Sequence, residues 1–151
     1  MNTLKQGDTV PNFTVNDQDG NPISLSDYKG KKLILFFYPA ASTPGCTAEA
    51  CNLTDNYKAL QEKGYSILGV SADTEKKQAS FKAKYEFPFS LLADTEKEAI
   101  NAFGVWGHKK FMGREYDGIH RITFLVDENG VVAHVIDKVK TKDHAAQILE
   151  L

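Results

Sequence analysis

A chain of 151 residues with 42% apolar and 25% charged side chains has the size and composition of one ordinary folded domain, which argues against a disordered protein. Eighteen basic against twenty acidic side chains leave a formal net charge of −2, and the lysine pairs at 31–32, 76–77 and 109–110 are scattered, so nucleic acid is a poor partner. The longest apolar run is far short of the ~20 residues a membrane helix needs, and no apolar leader follows Met1, so no membrane partner and a cytoplasmic setting are expected.

Residues 7–15 alternate apolar and polar after Pro11 and read as a short edge strand. The Asn/Asp/Gly-rich stretch 16–21 predicts a turn, so 22–25 forms a hairpin with that strand, and 26–30 is a single helical turn closed by Gly30. Lys31 to Tyr38 holds the most hydrophobic run of the chain and is a central strand covered on both faces. From Thr43 the period becomes helical: Thr43 is the predicted N-cap, Pro44 takes N1, and Ala48, Cys51, Leu53, Tyr57 and Leu60 form an apolar face that runs to Gly64.

A second buried strand follows over 65–71, then a helix over 74–85 capped by Ala72-Asp73, with Phe81 inward. Phe87-Pro88-Phe89 breaks that helix ahead of a strand at 90–94 and a short helix over 96–103 that ends at Gly104. Residues 105–118 lack periodicity and read as a loop that packs Trp106, Phe111, Met112 and Tyr116 near a site. A strand over 119–126, a tight turn at 127–130, a partner strand over 131–136 and a helix over 142–150 complete the chain. Two βαβ units followed by an antiparallel hairpin predict an α/β fold, a mixed sheet with helices on both faces, in one domain spanning 1–151.

Both cysteines, Cys46 and Cys51, lie in the stretch that joins the central strand to the predicted helix. A thiol in a first helical turn meets unpaired N–H groups and the positive end of the macrodipole, which favour thiolate in general. Residues five apart on a helix sit ~140° apart around the axis, with Cα atoms roughly 8–9 Å distant, whereas a disulfide wants about 4.4–6.8 Å. Either no disulfide forms, or the helix start unwinds to let one form. A zinc site needs further ligands, and His108, His120, His134 and His144 form no pair at ligand spacing. Thioredoxin-type dithiol chemistry uses Cys-x-x-Cys, and here four residues intervene. A buried cysteine that merely fills space suits Cys51 better than Cys46, and Glu49 in the first turn reads as a partner of the helix dipole.

Pro39-x-x-x-Thr43-x-x-Cys46 resembles the active-site motif of the peroxiredoxins, and Thr43-Pro44-Gly45-Cys46-Thr47-x-Glu49-Ala50-Cys51 is similar to their peroxiredoxin Q branch, also called bacterioferritin comigratory proteins. The resemblance extends to Gly7-Asp8-x-x-Pro11-x-Phe13, to Val105-Trp106-Gly107 with Lys110-Phe111-Met112-Gly113, and to Gly118-Ile119-x-Arg121-x-Thr123-Phe124-Leu125-Val126-Asp127. It implies a thioredoxin-like fold and a peroxidase that reduces hydrogen peroxide and organic hydroperoxides without cofactor or metal. In that reading Cys46 is the peroxidatic cysteine, Thr43 orients the peroxide and Arg121 supplies fixed positive charge. Pro39 shields the thiolate, the N–H groups of Gly45 and Cys46 complete the donors, and Cys51 is the resolving cysteine. Thioredoxin or a similar dithiol is the implied reductant, and a monomer the implied state. The chain differs from the common pattern at Ala40-Ala41-Ser42, where more polar residues are frequent, and at Ile122, where a small hydroxyl residue is frequent. A thiol–disulfide oxidoreductase and a redox-sensing binding module are the competing readings, separated from the peroxidase by catalytic turnover.

Overall fold

The structure is a computed structural model that describes residues 1–151. Its chain opens with a hairpin of β1 (Thr14–Asn16) and β2 (Pro22–Ser24), joined by a turn in which Asp17 Oδ1 accepts from the N–H groups of Asp19 and Asn21. A 3-10 turn over Leu25–Tyr28 leads into β3 (Lys32–Phe37), followed by α1 (Pro44–Asp55), α2 (Tyr57–Glu62), β4 (Tyr65–Ser71), α3 (Glu75–Tyr85), β5 (Ser90–Ala93) and α4 (Glu98–Phe103). Then come β6 (Trp106–Phe111), β7 (Arg114–Ile119), β8 (Ile122–Val126), β9 (Val132–Ile136) and α5 (His144–Leu149).

Five strands make the central sheet in the order β5-β4-β3-β8-β9. β3, β4 and β5 run parallel, while β8 is antiparallel to β3 and β9 to β8, which is the mixed sheet of a thioredoxin-like α/β fold. Strand geometry sends alternate side chains to opposite faces, and β3 is apolar at every position after Lys32. Leu33, Leu35 and Phe37 enter one core with β8 residues Phe124 and Val126 and with α4, while Ile34, Phe36 and Tyr38 enter the other with α1, α2, α3 and α5. Gly69 in β4 lets the second core close, because a Cβ there would lie 2.7 Å from the Phe36 ring and 2.8 Å from Leu91.

Four expectations are corrected. The helix predicted to run from Thr43 to Gly64 is two helices, α1 and α2, because Asn56 leaves helical geometry (φ −110, ψ 14) and bonds its side chain back to Asn52 O. The helix α3 is capped by Thr74, whose Oγ1 accepts from Lys77 N–H, while Asp73 serves the neighbouring turn instead. Residues 105–118 are largely the β6–β7 hairpin and not a loop; their polar side chains hide the strand period that cross-strand pairing imposes. Its large apolar side chains do not gather at a site: Phe111, Met112 and Tyr116 are exposed, and Trp106 lies half-buried under Lys97. Finally, the strand predicted over 119–126 breaks at His120–Arg121, where the chain passes from the hairpin to the central sheet.

Candidate active site

Parallel strands end at one edge of the sheet, and that edge is where such folds place ligands. β3 delivers the chain there to a turn over residues 38–43, and α1 then starts at Pro44. Phe37, the last residue of β3, pairs with Ile122, the first of β8, so Arg121 lies just past the same edge. The antiparallel pairing therefore brings together two residues 75 positions apart in the chain.

Cys46 sits in the first turn of α1 and is buried at 1% exposure, packed in the core that contains Tyr38 and Ala50. The turn before it is pinned from the side: Asp73 Oδ2 accepts from Ala41 N–H at 2.7 Å and from Ser71 Oγ at 2.7 Å. Within it Ser42 takes the left-handed region (φ 65), where a short polar residue is better tolerated than a branched one. The N–H groups of Gly45 and Cys46 have no intrahelical acceptor, as in any first turn.

One guanidinium joins the site. Arg121 Nη2 donates to Cys46 Sγ at 3.3 Å and Nη1 donates to Glu49 Oε1 at 2.7 Å. Gly45 is what allows the approach, because a Cβ on it would lie 3.1 Å from Nη2. Glu49 is fully buried, and burial pushes its carboxyl up to about 7 even though Arg121 pulls the other way. His144, also fully buried, lies 3.5 Å from Glu49 Oε2 and 2.8 Å from Thr123 Oγ1. Burial lowers its pKa, and the Arg121 charge adds to that. Lys109 on β6 donates to Ile119 O at 2.9 Å, and burial together with Arg121 lowers its pKa while Cys46 opposes the shift.

Of the residues singled out in the sequence, Cys46, Gly45 and Arg121 meet directly. Pro39 is half-buried on the turn. Thr43 is the N-cap residue, but its Oγ1 donates to Ala40 O at 2.7 Å instead of capping the helix, and the residue is exposed. Cys51 is half-buried on the same unbroken helix as Cys46, and both thiols are free. Cys46 is the more deeply buried of the two, so burial does not single out Cys51 as the cysteine that merely fills space. Burial and then the nearby Asp55 push the Cys51 thiol up.

Glu49 was legible only as a helix-dipole partner, although its position three residues after Cys46 places both on one helix face. His144 carries no signal at all in the sequence. No group of three or more His, Cys, Asp or Glu side chains converges to hold a metal ion.

Residues 6–135 match the model of the AhpC/TSA family. The chain is 49% identical over 150 residues to a putative peroxiredoxin bcp of Haemophilus influenzae, covering 99% of this chain and 97% of that one. It is 46% identical over 149 residues to peroxiredoxin Bcp of Escherichia coli K12, with 99% and 96% covered. Among solved structures, a cysteine-to-serine mutant of Xylella fastidiosa PrxQ superposes with a TM-score of 0.92 at 30% identity, covering 99% of this chain and 96% of that one. Peroxidoxin BcpB of Mycobacterium tuberculosis gives 0.86 at 38%, with 97% and 95% covered. A buried thiol bonded by arginine at the head of a helix, in a fold and sequence shared this widely, places the chain in the AhpC/TSA family, within its peroxiredoxin Q/Bcp branch.

Proposed function

We propose that Cys46 is the residue that carries the peroxidase chemistry of this chain, with Arg121 as its charge partner and Cys51 as its resolving thiol. Membership of the family makes the protein a thiol-dependent peroxidase. The observation that supports the residue assignment is the forked guanidinium of Arg121, which bonds Cys46 Sγ directly and is held from behind by Glu49. A fixed cation at that sulfur stabilises the charge that develops as the O–O bond breaks.

The thiolate attacks the terminal oxygen of a hydroperoxide. An S–O bond forms, the O–O bond breaks, and the departing oxygen takes the peroxide proton to leave as water or alcohol, so Cys46 becomes a sulfenate, which takes a proton from solvent to give sulfenic acid. Thr43, with its hydroxyl already at the turn, and the free N–H groups of Gly45 and Cys46 are the remaining donors for the peroxide in this reading; Pro39 screens the sulfur. Cys51 then attacks the Cys46 sulfur, an S–S bond forms and water leaves. An external thioredoxin-like dithiol restores both thiols by exchange. Because the two cysteines share α1, its first turns must open before the second step. One chain holds both thiols and their charge partner, so the proposed working unit is a monomer of one domain over 1–151, in the cytoplasm where dithiol reductants are maintained.

Peroxide consumption with a reducing system and mass analysis after one equivalent of peroxide test the reading. Cys46→Ser is expected to lose turnover, and full activity in that variant overturns the assignment. The parent is expected to lose two hydrogens as a Cys46–Cys51 disulfide, whereas unchanged cycling in Cys51→Ser removes Cys51 from the mechanism.

A further inference from the structure

The cycle above assigns no role to His144, although it is fully buried behind Glu49. The amide of Gln147 decides how its ring is protonated. Gln147 Nε2 donates to Lys138 O at 2.9 Å and Oε1 accepts from Lys140 N–H at 2.9 Å, which fixes the amide orientation. Oε1 is therefore the atom that faces His144 Nδ1 at 2.8 Å, and Nδ1 must donate to it. The other nitrogen, Nε2, faces Thr123 Oγ1 at 2.8 Å and Glu49 Oε2 at 3.5 Å. Glu49 Oε1 is occupied by Arg121, while Oε2 is sealed from solvent and has no hydrogen-bond partner. With Nδ1 donating to Gln147, a neutral ring leaves Nε2 to accept from the Thr123 hydroxyl and gives Oε2 no donor, and an ionised oxygen stranded in a desolvated site is costly. A single proton, on Oε2 or on Nε2, removes that cost.

We propose that Glu49 and His144 share one proton, and that this proton sets how much of the Arg121 charge reaches Cys46. With it, Arg121, Glu49 and His144 together carry one positive charge; without it, Glu49 cancels Arg121 and the sulfur faces a neutral group. The charged or titratable groups facing the pair are Arg121 before β8, Cys46 on α1 and, beyond Arg121, Lys109 on β6. Thr123 and Gln147 are neutral, and Lys142 and Asp143 at the head of α5 are exposed. The elevated carboxyl of Glu49 and the depressed imidazole of His144 agree with a proton that rests on the carboxyl side. His144 is thus a positioning residue, acting through Glu49 and Arg121 without touching substrate. The inference rests on Cys46 as the reacting thiol.

The reduced full-length chain, with 13C in glutamate carboxyls and 15N in histidine rings, is titrated by NMR between about pH 5 and 9. The Glu49 carboxyl and His144 Nε2 signals are expected to move together with one midpoint. A Glu49 that is ionised throughout beside an unchanging neutral His144 overturns the proposal. In His144→Gln the side-chain amide can donate to Oε2, so Glu49 should ionise at least one pH unit lower. The rate of Cys46 oxidation by hydrogen peroxide supplies the second readout. His144→Gln is expected to move the acid limb of the rate profile up by about one pH unit, roughly tenfold slower on that limb. In a Glu49→Gln background the same change should move nothing. Uniform slowing with the limb in place marks a packing role only and overturns the proposal. If His144→Gln does not fold, the parent titration decides alone. Because that titration uses no peroxide, its failure is separate from retained turnover in Cys46→Ser.

Discussion

Arg121 is the side chain on which the site turns, because two of its nitrogens meet two different partners at once. A lysine in its place has one compact charge and cannot hold Glu49 and Cys46 in that planar fork. Arg121→Lys is expected to slow Cys46 oxidation on the order of a hundredfold, read by stopped-flow mixing with peroxide; a rate near that of the parent would show that charge alone suffices. Glu49 makes a second residue-scale prediction. Its carboxyl ordinarily titrates near 4.5 and is pushed to about 7 in the fold, so between those values the native state keeps a proton that the unfolded chain has lost. Glu49 by itself therefore makes stability fall as pH rises through that window, by on the order of 3 kcal/mol, while His144, held neutral below its ordinary 6.5, contributes the opposite slope over the lower part of it. Glu49→Gln should remove the Glu49 share and leave the His144 share. Urea unfolding of both proteins at about pH 5 and pH 8 checks the difference, and parallel pH dependences would contradict it.

In the proposed cycle α1 has to be stable enough to hold Cys46 against Arg121, yet able to open at its start. Its far end is clamped to α5 by Asn52, whose Nδ2 donates to Lys142 O at 2.9 Å and whose Oδ1 accepts from Ala145 N–H at 2.8 Å. The clamp lies next to Cys51, so opening is expected to stop there. Hydrogen exchange should show lost protection at amides 47–51 in the disulfide form, with the second half of α1 still protected; equal protection in both redox forms would rule out unwinding. Asn52→Ala removes both bonds, which are worth about 1–2 kcal/mol together. It should speed exchange in α5 before it affects the central sheet.

Two cores on opposite faces of the sheet separate stability from chemistry. Phe103 packs within 6.0 Å of Phe13, 5.1 Å of Phe37 and 4.8 Å of Phe124 on the face away from α1. Phe103→Ala should cost about 3–5 kcal/mol of unfolding free energy while the folded variant oxidises at Cys46 at the parental rate. A proportionate loss of rate would mean that the sheet transmits packing defects to the site. On the other face Phe36, Tyr38, Phe81, Phe87 and Phe89 form the layer beneath Cys46, and there the two effects are expected to coincide.

What the sequence determined by itself was local and periodic. The run 33–38 could only be a doubly covered strand, Thr43-Pro44 could only begin a helix, and the spacing of Cys46 and Cys51 forbade a disulfide on an intact helix. The β6–β7 hairpin escaped because its strands are polar and exposed, so no hydrophobic alternation marks them; pairing between backbones defines them instead. The break at Asn56 escaped because apolar spacing continues across it. Arg121 could be named from its motif, but what it touches depends on β8 running antiparallel beside β3. Glu49 and His144 are 95 residues apart and lie on two helices that meet only in the folded chain. Burial then changes what each can ionise, and no order of residues along a chain expresses that before tertiary packing removes the water.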